Sequence, residues 1–355
     1  MSTKLLDLVN ITKSYDGVTI LDDLNLYIRE NEFLTLLGPS GCGKTTTLRI
    51  LGGFETPDAG KVLFNGQDIT QLPPNKRQLN TVFQKYALFT HMTIAENIAF
   101  GLKIKGKSKA YIDDKIKYAL KLVNLEGYEN RSPALLSGGQ QQRIAIARAI
   151  VNEPKVLLLD EPLGALDLKL RQDMQYELIR LKNELGITFV FVTHDQEEAL
   201  SISDRIVLMR SGVLQQNDLP QRLYNEPANQ FVADFLGNPP INNIPGSIQN
   251  GLFVTEDGKA EAKLLMLEGV ENGRKVNLSV RSESFVLDEK GPIACEVTRM
   301  YQMGKEEMAY LRMGGHDFRA YIDADAGLKA GDHVRLGLKK RGVFLFDRET
   351  GERIR

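Results

Sequence analysis

The sequence lacks the features of secreted, zinc-binding and membrane-spanning chains. Its two cysteines, Cys42 and Cys295, are too few and too far apart to build a disulfide framework or a zinc cluster. No apolar stretch approaches the roughly 18 residues that a transmembrane helix needs. The N-terminal "MSTKLLDLVN" has neither the apolar core nor the cleavage site of a signal peptide. We therefore expect a cytoplasmic protein that depends on other chains for any work across a membrane.

The sequence also lacks an excess of charge of one sign. A formal net charge of -1 over 355 residues provides no bulk positive field that would attract a polyanion. This disfavours a general nucleic-acid-binding protein. The length predicts two domains.

Four apolar runs predict the strands of a parallel sheet. They are "FLTLL" (Phe33–Leu37), "VLLLD" (Val156–Asp160), "TFVFVTH" (Thr188–His194) and "RIVLM" (Arg205–Met209). Helix-length segments separate them, which is typical of an α/β fold whose parallel sheet is covered on both faces.

The patterns change along the chain and predict two domains. Residues 1–237 carry the α/β pattern and include a helical subdomain at about 88–150, where one helix presents an apolar face. A linker rich in proline and asparagine, "FLGNPPINNIPG", follows at 235–246. Residues 238–355 contain short strand-like runs, "VNLSV", "IACEV", "MAYLRM", "FRAYI", "HVRLGL" and "VFLF", which predict a small all-β, barrel-like domain. The apolar helical face consists of Ile112, Ile116, Ala119, Leu120 and Val123.

The stretch "GPSGCGKTT" at 38–46 fits the phosphate-binding pattern G-x-x-x-x-G-K-[ST] through Gly38, Gly43, Lys44 and Thr45. Glycines let backbone N–H groups turn towards phosphate oxygens, the lysine reaches the β- and γ-phosphates, and the Thr45 hydroxyl can hold Mg²⁺. A chance glycine-rich turn is the alternative, but the strand before and the helix after disfavour it. The other nucleotide-binding residues predicted in this loop are Pro39, Ser40, Gly41, Cys42 and Thr46.

The stretch "VLLLDEP" ends a buried strand with two carboxylates, Asp160 and Glu161. Adjacent acids at such a position are costly unless a cation or a reaction uses them. Phosphoryl transfer requires a Mg²⁺ ligand, for which Asp160 is suited, and a group that orients or deprotonates water, for which Glu161 is suited. An acidic strand cap is the alternative interpretation.

A second glycine pair lies in "LSGGQ" at 136–140. Ser137 can cap the following helix, and Gly138 and Gly139 expose N–H groups at its start, which predicts another anion site. This site has no lysine or acidic strand end of its own. Either it is a plain capped helix, or two identical chains pair head-to-tail so that each "LSGGQ" closes over the nucleotide of the other chain.

Together these motifs resemble those of the ATP-binding-cassette (ABC) ATPases, the nucleotide-hydrolysing subunits of ABC transporters. The resemblance covers residues 4–237, and it implies that "LSGGQ", including Gln140, is the family signature, which acts across a dimer.

The resemblance also implies roles for residues that carry little information singly. Gln84 in "TVFQKYALF" matches a glutamine that senses Mg²⁺ and water, and His194 in "VTHD" matches a γ-phosphate switch. Tyr15 in "KSYDG" matches the aromatic residue that stacks on adenine, and Asp167 in "GALD" matches an aspartate at the dimer interface. Taken alone, a histidine at a strand end or an N-terminal tyrosine is more often structural. Gly164 departs from the family, which usually has serine there, so the backbone before Asp167 is expected to be looser.

The implied cofactors are ATP and Mg²⁺. By the resemblance, Mg²⁺ is held by Thr45, Gln84 and Asp160, and the catalytic residues are Glu161, His194, Gln84 and Lys44.

The layout of the chain favours an importer ATPase. By the resemblance, one cassette without a fused membrane segment is expected to form a homodimer on the cytoplasmic face of two integral membrane permease subunits. An extracytoplasmic solute-binding protein would serve them indirectly, and no nucleic acid is expected as a partner. The C-terminal domain resembles the OB-like regulatory (TOBE-type) domain of such importers, with Gly304 and Glu306 in its "MGKEE" turn. A soluble regulatory or mechanochemical ATPase is the alternative.

The two halves of the chain resemble different importer branches. "PPNKRQLNTVFQKYALF" is close to the polyamine (spermidine/putrescine) branch, whereas "LFDRETGERI" is close to the carbohydrate (maltose/glycerol-phosphate) branch. The cassette contacts the membrane subunits, so polyamine is slightly favoured.

Overall fold

The computed structural model describes residues 4–164, 166–267, 269–304 and 306–354. Ala165 of "GALD" and Lys305 of "MGKEE" lie outside the described residues. The chain divides into two compact units, Met1–Pro220 and Gln221–Arg355.

The elements of the first unit are β1 (Lys4–Tyr15), β2 (Val18–Arg29), β3 (Phe33–Leu37), α1 (Lys44–Gly52), β4 (Ala59–Phe64), β5 (Gln67–Asp68), β6 (Leu79–Val82), α2 (Ile94–Ile104), α3 (Lys109–Leu122), α4 (Gly138–Ile150), β7 (Val156–Asp160), α5 (Leu168–Leu185), β8 (Thr188–Thr193), α6 (Gln196–Ile202), β9 (Arg205–Arg210) and β10 (Val213–Asp218).

The first unit contains the predicted parallel sheet. Its order is β10-β9-β3-β8-β7-β6, with β9, β3, β8, β7 and β6 parallel and β10 antiparallel at one edge. Alternate residues bury opposite faces: Leu34 and Leu36 belong to one core cluster and Phe33 to another. Phe33 stacks on Phe189 of β8 with 5.2 Å between ring centroids. Burial on both faces explains why these strands are continuous apolar runs.

An antiparallel sheet in the order β2-β1-β4-β5 lies in the same unit. Helices α2, α3 and α4 share a separate apolar cluster, in which the face predicted from Ile112 to Val123 is buried as expected. The helical segment of the cassette thus has its own core.

The strands of the second unit are antiparallel and enclose a large apolar core, and a smaller apolar cluster contains Ala233, Ile241, Phe344 and Phe346. The sheets have the orders β13-β12-β11-β14-β20-β21 and β15-β19-β16-β17-β18. All six strand-like runs of the sequence lie inside strands, which confirms the predicted β structure of residues 238–355. The elements are α7 (Pro220–Asn225), α8 (Gln230–Phe235), β11 (Asn242–Gln249), β12 (Leu252–Thr255), β13 (Glu261–Ala262), β14 (Lys275–Val280), β15 (Phe285–Leu287), β16 (Ile293–Met303), β17 (Glu306–Met313), β18 (His316–Asp323), β19 (His333–Leu338), β20 (Val343–Asp347) and β21 (Arg353–Ile354).

The structure divides the two units after residue 220, whereas the predicted boundary was at residue 237. Helix α8 and nearly all of α7 therefore belong to the second unit. The physical reason is Arg281, which is 1% exposed. Its guanidinium donates to the carbonyls of Ala233 and Leu236 and lies 4.0 Å from the Tyr224 ring centroid. The β strands therefore hold the two helices, and the proline-rich linker lies within the unit.

Replacing Arg281 with Met is expected to destabilise the second unit by about 3 kcal/mol, because buried carbonyls lose their donors. Calorimetric unfolding of the full chain would measure the loss. Arg312→Met is the matched control: this arginine is 48% exposed in an ion pair with Asp317, and its removal should cost less than about 1 kcal/mol. Equal shifts for both variants would contradict this role for Arg281.

Candidate functional site

The candidate site lies where parallel strands end. The glycine-rich loop follows β3, Gln84 follows β6, Glu161 follows β7 and His194 follows β8. Carboxyl ends of parallel strands meet at one edge of a sheet, where ligands of open α/β folds bind. The fold therefore brings to one edge residues that lie far apart in the sequence.

Two glycines of the loop have conformations that a side chain would disturb. Gly38 has φ 150°, and a Cβ there would lie 2.3 Å from the Met209 carbonyl oxygen of β9. Gly43 has φ 99°, and a Cβ there would lie 2.5 Å from the Leu21 side chain. The loop is therefore shaped by close packing against its neighbours as well as by its left-handed turns.

We expect Gly38→Ala to weaken ATP binding by about tenfold or more, because the Met209 backbone cannot move aside cheaply. Gly164→Ala is the control. A Cβ at Gly164 would lie 3.7 Å from the Glu161 carbonyl oxygen, an ordinary contact, so ATP affinity should stay within about twofold. Titration calorimetry on both folded variants measures the difference. Equal affinities would show that the strain at Gly38 is unimportant.

The Lys44 side chain is buried and closes over its own loop. Its ammonium donates to the carbonyls of Gly38 at 2.8 Å and Pro39 at 2.9 Å. Cys42 Sγ lies 3.7 Å from the same ammonium, and burial raises the pKa of that thiol. A buried, protonated thiol is unreactive, so Cys42 contributes to the loop through its backbone.

The acidic strand end joins two sets of residues. The Thr45 hydroxyl donates to Asp160 Oδ1 at 3.0 Å. Glu161 Oε2 accepts from the Gln84 amide at 3.3 Å, and Glu161 Oε1 lies 3.2 Å from His194 Nδ1. The structure therefore places Gln84 beside Glu161, while the expected metal ligands Thr45 and Asp160 form a pair of their own.

Burial raises the pKa of the Asp160 carboxyl, and the neighbouring Glu161 raises it further, while the Thr45 hydroxyl opposes the shift. A nearby cation would favour the ionised form of this carboxyl.

The residues on either side of His194 are held by ion pairs and hydrogen bonds. Thr193 donates to the buried Glu198 carboxylate at 2.6 Å, and Arg171 of α5 pairs with Asp195 at 2.9 Å. These contacts fix the turn between β8 and α6. The His194 imidazole itself is more than half exposed, so it can face a ligand.

The "LSGGQ" residues cap helix α4. Ser137 Oγ accepts from the Gln140 N–H at 3.4 Å, and Gln140 Oε1 accepts from the Ser137 N–H at 3.0 Å. Ser137 and Gly138 are exposed, whereas Gly139 is buried. The Gln140 side chain caps its own helix, as the plain-cap interpretation requires. The exposed N-terminus of α4 can still bind an anion held by another chain.

Comparison with known proteins agrees with this geometry. A family profile described as "ABC transporter" matches residues 21–164. A curated protein of Desulfitobacterium hafniense (strain Y51), named spermidine/putrescine import ATP-binding protein, is 54% identical over 99% of this chain and 100% of its own length. The chain belongs to the ABC transporter family. A protein of the same name from Acetivibrio thermocellus is 59% identical over 79% of each chain.

Two solved ABC cassettes each resemble about three-fifths of the chain. The cbiO1 protein of Clostridium perfringens, part of an ABC transporter complex, is 29% identical over 62% of this chain and 90% of its own, with TM-score 0.59. The cassette MJ0796, a dimer bound to ADP and phosphate, is 34% identical over 61% of this chain and 99% of its own, with TM-score 0.55. The predicted ABC ATPase fold is confirmed. In the part of the chain that the structure describes, no helix is long and apolar enough to cross a membrane.

Two further predicted residues of this ABC cassette lie beside the motifs. Asp167 caps α5 by accepting from the Leu170 N–H at 2.9 Å, a local contact that neither requires nor excludes a dimer role. The Tyr15 ring is 39% exposed, and the Lys13 ammonium lies 5.2 Å from its centroid.

Two residues that no sequence motif identifies support the ABC site from a distance. Arg148 of α4 donates to the carbonyls of Tyr86 at 2.9 Å and Ala87 at 2.8 Å, two and three residues after Gln84. The Tyr86 hydroxyl donates to the Pro162 carbonyl at 3.4 Å, next to Glu161. Because their partners are about 60 residues or more away, no local pattern could have identified them.

Proposed function

We propose that this chain is the ATP-hydrolysing subunit of a polyamine importer, acting as a homodimer on two integral membrane permease subunits. The observation that carries the proposal is the arrangement of Glu161 between Gln84 and His194, beside the Thr45–Asp160 pair. A carboxylate in this position can accept a proton from water, while an amide and an imidazole beside it hold the water and the γ-phosphate.

Each residue of the phosphate loop has a role in this proposal. The Lys44 ammonium exchanges its loop carbonyls for β- and γ-phosphate oxygens, which are stronger, charged acceptors. The backbone N–H groups from Gly38 to Thr46 surround the phosphates at the start of α1. The loop thereby binds and orients the substrate, and Glu161 acts on the water.

Mg²⁺ fits the donor set at the acidic strand end. The Thr45 hydroxyl and the Asp160 carboxylate supply hard oxygen atoms 3.0 Å apart. Mg²⁺ commonly takes few protein ligands and fills its remaining positions with phosphate oxygens and water. Within the described residues, no cluster of three His, Cys, Asp or Glu could hold a metal without such help. The metal would neutralise charge on the phosphates, and Gln84 would complete its surroundings.

The homodimer completes the site. The exposed α4 start at Ser137 and Gly138 supplies N–H donors for the γ-phosphate of the other chain, and Asp167 lies at the interface. The solved post-hydrolysis dimer of a similar cassette supports this assembly.

The solute follows from the relatives rather than from the site. Proteins named for spermidine/putrescine import match the cassette, and one of them matches the C-terminal tail as well. These names favour polyamine as the solute. They disfavour carbohydrate, which the C-terminal sequence "LFDRETGERI" resembled. The importer would work at the cytoplasmic face of the membrane with an extracytoplasmic solute-binding protein, and its all-β unit would regulate it.

Co-purification tests the transport assignment against a soluble regulatory or mechanochemical ATPase. The tagged chain, isolated from detergent-solubilised membranes of its own host, is expected to retain two polytopic membrane proteins in equal amounts. Isolation of an active ATPase from the soluble fraction alone, with no membrane protein bound, would favour the alternative.

A further inference from the structure

The Lys13 ammonium lies over one face of the Tyr15 ring. The two residues are two positions apart on β1, where the register with β2 shifts between Lys13 and Ser14. The Lys13 side chain is 11% exposed, and its ammonium lies over the ring at 5.2 Å from the centroid. A cation in this position is attracted by the negative face of the aromatic ring. One face of the ring is therefore covered, and the residue remains 39% exposed for contact with a ligand.

The ammonium is held by a short segment between α1 and β4. It lies 2.9 Å from Glu55 Oε1 and 3.1 Å from Asp58 Oδ1, and it donates to the Thr56 carbonyl at 2.9 Å. Three acceptors match the three donors of an ammonium group. The hydrogen bond to Glu55 raises the pKa of Lys13, so the side chain stays charged.

The same segment is tied to both elements that build the nucleotide site. The Glu55 N–H donates to the Arg49 carbonyl at 3.3 Å, at the end of the helix that begins in the phosphate loop. The Asp58 N–H donates to the Thr12 carbonyl at 2.8 Å, and Asp58 Oδ2 accepts from the Ser14 N–H at 2.7 Å, both on β1. Burial raises the pKa of the Tyr15 hydroxyl, and the negative charge of Glu55 raises it further.

We propose that Lys13, anchored by Glu55 and Asp58, is a positioning residue that holds the Tyr15 ring in place for the adenine base. This inference rests on the proposed function, in which Tyr15 stacks on adenine. A ring fixed before binding loses less side-chain entropy when the base arrives, so Lys13 acts on ATP affinity and leaves the hydrolytic step alone.

The test compares ATP with inorganic tripolyphosphate, which has phosphates and no base. Lys13→Met should raise KM for ATP about fivefold, with kcat unchanged within about twofold. Inhibition by tripolyphosphate should stay unchanged, because the phosphate loop is intact. Lys13→Arg should keep a KM close to that of the original chain. If Lys13→Met does not fold, as judged by thermal melting, Asp58→Asn makes the same comparison with the anchor weakened.

A double-mutant cycle separates the inference from the function on which it rests. In a Tyr15→Ala chain, adding Lys13→Met should raise KM no further. Additive effects, or an equal weakening of tripolyphosphate inhibition, would show that Lys13 acts by general electrostatics and would overturn the inference alone. If Tyr15→Ala leaves KM for ATP unchanged, the adenine-stacking role fails, and the inference fails with it.

Discussion

Glu161→Gln is expected to lower steady-state ATP hydrolysis by roughly a thousandfold while leaving ATP affinity unchanged. The amide keeps the shape of the carboxylate and its neighbours Gln84 and His194, but it cannot accept a proton from water. Since hydrolysis would no longer separate the chains, ATP should hold the variant as a stable dimer. Phosphate release measures turnover, and light scattering with and without ATP measures assembly.

The control for this prediction is Glu30→Gln, which removes an exposed carboxylate in a turn before β3. It should hydrolyse ATP at the original rate. If Glu161→Gln retains hydrolysis within a few-fold of the original chain, Glu161 is not the group that activates water, and another acid must be sought.

Ser137→Arg and Lys44→Ala chains should each be inactive alone and recover activity when mixed. In a head-to-tail dimer, each ATP site combines the phosphate loop of one chain with the α4 start of the other. A mixed dimer therefore has one site with both defects and one site with neither. If the sites act independently, an equal mixture should reach about a quarter of the original rate, because about half of the dimers are mixed.

Two binding measurements support the interpretation of that mixture. Lys44→Ala should bind ATP weakly, because a phosphate-facing cation is lost, whereas Ser137→Arg should bind ATP normally as a monomer. Chains with different affinity tags would verify that mixed dimers form. If verified mixed dimers are no more active than either variant alone, the plain-cap interpretation of Ser137 and Gly138 is correct.

Local patterns predicted the part of the fold that positions the chemistry. Apolar runs such as Phe33–Leu37 are buried on both sides, so composition alone identifies them as central strands. The glycine loop and the acidic strand end have fixed spacings, so Lys44, Thr45 and Asp160 could be assigned before any coordinates. The contacts of Glu161 with Gln84 and His194 were not predicted, because these residues lie far apart in the sequence and come together only at the ends of neighbouring parallel strands.

Long-range contacts decided what the patterns could not. The domain boundary was predicted at the proline-rich linker, yet Arg281 holds α7 and α8 to the second unit through backbone carbonyls that carry no sequence signal. Lys13 was passed over because a lone lysine on a strand usually faces solvent. Its role appears only when Glu55 and Asp58 are brought to it by the turn before β4.

The most direct test of the central claim is uptake of labelled spermidine by cells that lack the native gene and receive this chain from a plasmid. The original chain should restore uptake and Glu161→Gln, expressed at the same level, should not. Excess unlabelled putrescine should suppress the restored uptake, whereas maltose should leave it unchanged. Spermidine uptake that is independent of the chain, together with maltose uptake that requires it, would contradict the account.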